Sequence, residues 1–257
     1  REVGAQPFIT VPPAFSDDTH WRIGDLTDEV IAGVYADHGN LVDYLAADAS
    51  TAYGARREAD GYGPWDLEFE VVYLELGNEL WGTPDDTWDM DPSGDETLEQ
   101  QMDNFAVYNQ VRMIEMKGRP GWRDNMRVGF CGRGPETWMG GWPGSYDGTL
   151  VPAIGHLTDF HTIDLYYGAG SAADSDERIY GALFANAPMH ERQIAAMKDA
   201  FRQANGGADI ETTVYEGNAT WGGYEPDLHD PTPLYFKEVG LGAAVSLVDL
   251  YAAANRA

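Results

Sequence analysis

Two glutamates, Glu79 and Glu216, stand where apolar, β-rich runs give way to polar turns. Residues 71–76 (VVYLEL) stop at Gly77, and Asn78, Glu79 and Trp81 follow. Residues 210–215 (IETTVY) lead into Glu216, then Gly217, Asn218 and Trp221. Acid-catalysed cleavage of an acetal needs one carboxyl to protonate the leaving oxygen. It needs a second to attack the acetal carbon or to activate water. Glycosidic-bond hydrolysis is that chemistry. One such glutamate alone would serve equally well as a helix cap or an ion-paired acid. The matching pair and the aromatic residues beside it carry the reading.

Both acids must be held at strand ends, and the chain reads as alternating strands and helices. Expected strands cover residues 7–11, 71–76, Met126–Cys131, Phe160–Tyr166 and 210–215. Expected helices cover 27–47, a broken pattern interrupted at Gly39, then 96–116 with one apolar face, 189–204 with apolar residues at intervals of three and four, and 233–254. Strands each followed by a crossover predict a parallel α/β sheet. The loops 80–95, 132–149, 167–180 and 217–232 are long and rich in Gly, Trp and Asp. Loops on the carboxyl side of parallel strands are where such proteins bind ligands. Trp81, Trp138, Trp142 and Trp221 lie in these loops and can either stack on sugar faces or pack the loops themselves. A single domain over 1–257 is expected, since neither a linker nor an internal repeat is visible.

Composition narrows the partners. Of 257 residues, 43 are acidic and 16 basic, a formal charge of −27, and the acids are spread along the chain. Such a surface repels nucleic acid and anionic membranes, so neither is an expected partner. Acid-rich, lysine-poor surfaces suit concentrated salt, which screens the self-repulsion, and a halophilic protein is expected. No apolar run approaches the ~20 residues of a membrane span. A soluble protein, secreted or cytoplasmic, is therefore expected, with its natural start upstream of Arg1. The single cysteine, Cys131, excludes an intrachain disulfide and reads as a small buried hydrophobe. His161, in mid-strand, reads as a core residue, and the six histidines show no ligand spacing. Residues 89–94 (DMDPSG) resemble the start of a calcium loop, but its twelfth position is Gln100 in place of a carboxylate. No glycine-rich phosphate loop follows a strand. Neither a metal nor a cofactor is expected.

The strand-ending Asn78-Glu79, with Glu216 ending the third strand after it, resembles the clan A glycoside hydrolases. Within that clan the segment VDYLAADASTAYGARREADGYGPWDLEFEVVYLELGNELWG is similar to the α-L-arabinofuranosidases of glycoside hydrolase family 51. The resemblance implies a TIM (β/α)8 barrel present in part, from its third to its seventh βα unit. It implies retaining hydrolysis of an oligo- or polysaccharide by two glutamates, Glu79 as acid/base and Glu216 as nucleophile. Asn78 would bind the hydroxyl next to the anomeric carbon, and Tyr166 would contact the nucleophile or the sugar. Trp81, Trp138, Asn218 and Trp221 would complete the substrate contacts.

This sequence departs from the family pattern in three places. Asp164 stands where a histidine is usual, and Gly217 replaces the tryptophan usual after the nucleophile. Both bear on substrate identity more than on reaction type. The first, second and eighth strands have no counterpart, which implies a fragment, a processed piece or a reduced relative. Two other readings stand beside the arabinofuranosidase-like one. The first is a degenerate barrel that binds carbohydrate without cleaving it. The second is another clan A activity, such as a xylosidase, agarase or endoglucanase.

Overall fold

The computed structural model describes residues 4–12, 28–77, 98–131, 152–166 and 175–218, with single helical positions at 248 and 252. Five strands form one parallel sheet in chain order: β1 (Phe8–Val11), β2 (Val72–Leu76), β3 (Met126–Cys131), β4 (Phe160–Tyr166) and β5 (Glu211–Asn218). Helices α1 (Asp28–Ala46), α2 (Ala52–Ala59), α3 (Leu98–Lys117) and α4 (Asp176–Ala204) lie between them in the chain. A parallel neighbour can be reached only by a crossover, and here those crossovers carry the helices.

The two faces of the sheet differ as the period of two requires. On β2, Val72, Leu74 and Leu76 are fully buried, and Val128 and Phe130 of β3 join them. Behind β3 and β4, the Phe130 and His161 rings meet Phe201 of α4, at 6.1 Å and 5.0 Å between centroids. His161 is thus the core residue its mid-strand position predicts, wholly buried against two phenylalanines.

The opposite face is concave. The Phe8 ring of β1 lies 5.7 Å from that of Phe160 on β4, and Tyr73 of β2 packs edge-on to the same ring at 5.2 Å. The Tyr73 hydroxyl donates to Glu211 Oε1 on β5 over 2.6 Å. Strands two or three places apart in a flat sheet are separated by roughly 10–14 Å. Side chains stand nearly perpendicular to a sheet, so such contacts require it to curl towards this face. Gly129 is the β3 residue at this point. A Cβ there would collide with the Phe160 carbonyl and lie 2.8 Å from its ring.

Four elements differ from the sequence expectation. Helix α1 runs unbroken through Gly39, because that glycine marks a close approach and not a break. A Cβ there would sit 2.8 Å from Arg119 Cδ and from Glu115 Oε1. Helix α2 was not expected; Thr51 caps it by accepting from the Gly54 amide over 3.0 Å. Helix α4 starts at Asp176 instead of 189, capped by Ser175, and carries Pro188 in its interior. Proline usually ends or kinks a helix, yet here the helix continues through it. Strand β5 continues through Glu216 to Asn218, past the expected end at 215. Of the expected helix 233–254, only positions 248 and 252 are described, and both are helical.

Candidate active site

Of the two sequence-predicted acids, Glu216 lies within β5 near its carboxyl end, and Glu79 follows the carboxyl end of β2 in the chain. At β2, Gly77 donates its amide to the Val11 carbonyl over 2.9 Å and takes φ of 95°. That conformation is costly for any residue with a Cβ, which is why a glycine stands here, directly before Asn78 and Glu79 in the chain. Asn78, Glu79, Trp81, Trp138, Trp142 and Trp221 lie outside the described residues, as does the 89–94 segment with its calcium-like pattern.

Tyr166, Glu216 and Asn218 are placed by their backbone register. Thr162 pairs with Thr213 and Ile163 with Val214, but Asp164 pairs with Glu216 and Tyr166 with Asn218. The step between Ile163 and Asp164 is a β-bulge that leaves Tyr215 without an opposite number. Without it Tyr215 would stand opposite Asp164; with it Glu216 does. The structure thus brings Glu216 beside Asp164, and Asn218 beside Tyr166, at the edge where β2 also ends.

Below this edge lies a residue that the sequence reading passed over. Glu75 of β2 is fully buried on the concave side. Its Oε1 lies 2.5 Å from Thr162 Oγ1 of β4, and its Oε2 lies 3.3 Å from Thr10 Oγ1 of β1. Burial lifts its carboxyl from an ordinary 4.5 to about 7, against the opposing pull of the two threonine hydrogen bonds. The signal was available: one acid inside the apolar run VVYLEL must be paid for by hydrogen bonds or by protonation.

A second polar cluster secures the end of β1. Arg112 of α3 is fully buried; it donates to the Pro12 carbonyl over 3.1 Å and to Asn109 Oδ1 over 3.1 Å. Its guanidinium stands over the Tyr108 ring at 5.2 Å and 3.1 Å from His38 Nε2. Burial, and secondarily the Arg112 charge, push His38 down to about 3, so it stays neutral. Burial also lowers Arg112 to about 10, still a cation at neutral pH. Among the described residues no group of three or more His, Cys, Asp or Glu could hold a metal. No helix among them is long and apolar enough to cross a membrane.

Comparison with solved structures places this sheet. A family 51 α-L-arabinofuranosidase from Bifidobacterium longum superposes with a TM-score of 0.59 at 19 % identity, covering 91 % of this chain. The α-L-arabinofuranosidase from Thermotoga maritima, solved as an arabinose complex, gives 0.62 at 15 % identity and covers 99 %. The family 51 arabinofuranosidase from Xanthomonas axonopodis pv. citri gives 0.54 at 18 % and covers 92 %. The fold is part of an α/β barrel like that of these arabinofuranosidases. The chain spans only 40 %, 42 % and 43 % of those three proteins, so the arabinofuranosidase fold is represented by part of its barrel. No family model matches the sequence, and no curated protein does.

Proposed function

We propose that this single domain, residues 1–257, is the sugar-cleaving part of a retaining, arabinofuranosidase-like glycoside hydrolase acting on oligo- or polysaccharides. The observation that carries the reading is the Tyr73–Glu211 contact, which joins β2 to β5 across the concave face. Glu216 lies near the far end of β5, and Glu79 follows the far end of β2 in the chain. A curl that brings the strands together at one level supports a close approach of the carboxyls above it. Retention asks for about 5–5.5 Å between them.

In this reading Glu216 attacks the anomeric carbon while Glu79 gives its proton to the departing oxygen. Glu79 then removes a proton from water, which displaces Glu216 from the sugar. Asn78 binds the neighbouring sugar hydroxyl more tightly as charge develops, and Tyr166 orients the nucleophile. Trp81, Trp138, Asn218 and Trp221 contact the substrate. The acidic surface is read as an adaptation to high salt.

Aryl glycosides test the roles separately. Glu79→Ala is expected to lower kcat/KM by about 100-fold or more on poor leaving groups, while sparing dinitrophenyl glycosides, which need no proton. Glu216→Ala is expected to abolish turnover of both, with azide restoring part of it. Wild-type activity in either variant on every substrate overturns the assignment. Sugar binding by calorimetry without hydrolysis of any aryl glycoside would favour a carbohydrate-binding module instead.

A further inference from the structure

Glu75 bridges three strands from inside the curve. Its two oxygens reach Thr10 on β1 and Thr162 on β4, and β2 itself supplies the carboxyl. The β3 residue in register with Glu75 is Gly129, so no β3 side chain stands between Glu75 and β4. Thr162 Oγ1 also lies 3.4 Å from the Phe130 carbonyl, which can only accept. A neutral Glu75 therefore completes a directional chain: its hydroxyl donates to Thr162, and Thr162 donates to Phe130. An ionised Glu75 would instead claim the Thr162 proton and leave that carbonyl without it.

We propose that Glu75 is a positioning residue. Its uncharged carboxyl locks β2 to β1 and β4 four residues before Glu79 in the chain, fixing the strand end that leads to that acid. This deepens the glycosidase reading and rests on it. The groups around Glu75 are consistent with a neutral carboxyl. Thr10 and Thr162 carry no charge. Tyr73, the preceding concave-side residue of β2, is hydrogen-bonded to Glu211, and Arg127 lies beside Tyr73 in register. Towards the carboxyl edge, Asp164 and Glu216 are register partners. No lysine or arginine bonds the Glu75 carboxyl among the described residues.

The test uses the 257-residue chain and a dinitrophenyl glycoside, so that protonation of Glu79 does not limit kcat/KM. Wild-type kcat/KM is expected to fall as pH rises through about 7, where Glu75 ionises. Glu75→Gln keeps a neutral group that donates to Thr162, and is expected to abolish that alkaline fall. Glu75→Ala is expected to lose about tenfold or more in kcat, because sub-ångström misplacement of reacting groups is costly. Glutamine is expected to restore most of that loss. An unchanged alkaline fall in Glu75→Gln overturns the proposal, as does wild-type kcat in Glu75→Ala. If the alanine variant does not fold, the glutamine profile decides alone. Absence of turnover by the wild type at every pH overturns the glycosidase reading, and the positioning role with it. Turnover with either of the first two outcomes overturns the positioning role only.

Discussion

At Glu75 a pKa shift is also a statement about stability. The folded state raises this carboxyl from 4.5 to about 7, so between those values it holds a proton that the unfolded chain releases. Its contribution is fully present below the unfolded value and is lost as pH rises through the folded one. The gap corresponds to about 3 kcal/mol. Denaturant unfolding should therefore show wild type losing roughly that much relative to Glu75→Gln between about pH 4.5 and pH 8. Parallel stability curves for the two proteins would contradict a neutral buried Glu75. Arg112 makes a different prediction. Replacement by Met keeps the bulk but removes the guanidinium's hydrogen bonds to the Pro12 carbonyl and to Asn109. A hydrogen bond from a charged group contributes about 1.5–3 kcal/mol, so a loss of about 3 kcal/mol is expected in urea titrations. A change below about 0.5 kcal/mol would show that the cluster does not hold the end of β1.

Strands, not helices, decide where the chemistry can occur. Two irregularities matter most: the glycine turn after β2 and the bulge in β5. The first releases the chain towards Asn78 and Glu79. The second changes which residue of β5 stands opposite Asp164. Gly129 of β3 is the element-scale counterpart, since the curl is possible there only because no side chain meets Phe160. Gly129→Ala should cost about 2 kcal/mol or more by overpacking, visible as a lower thermal midpoint. A neutral substitution would mean that the concave face has slack there. Helices contribute by fixing the ends. Arg119, just beyond α3, donates to the buried Asp43 of α1 over 2.6 Å. The Gly121 amide donates to the other Asp43 oxygen over 2.9 Å.

Taken whole, the molecule combines a curled parallel sheet with a charge of −27. Self-repulsion among 43 acids and only 16 bases is strongest in dilute salt and is screened as the Debye length shortens. If the chain is the single domain proposed, scanning calorimetry is expected to show one transition, whose midpoint climbs between about 0.1 M and 2 M sodium chloride. A midpoint that falls with salt would refute adaptation to brine, and two separated transitions would refute a single domain. The chain spans about two-fifths of the arabinofuranosidases it superposes on. Activity of those larger proteins therefore bears on this chain only through the tests above.

The amino-acid sequence by itself determined the strand positions and the parallel α/β class, because both follow from local periodicity and from the crossovers that parallel strands demand. It also marked Glu79 and Glu216 as candidates, since acids following apolar runs stand out along a chain. Tertiary structure decided what depends on contacts between distant segments. Gly39 became a packing contact once α3 lay against α1, and Pro188 was accommodated inside a helix long enough to continue past it. The bulge that sets Glu216 opposite Asp164 exists only in the pairing of β4 with β5. Glu75 was legible only as an acid in an apolar strand. Its role needed Thr10 and Thr162, which lie 65 and 87 residues away along the chain and meet it only on the concave face.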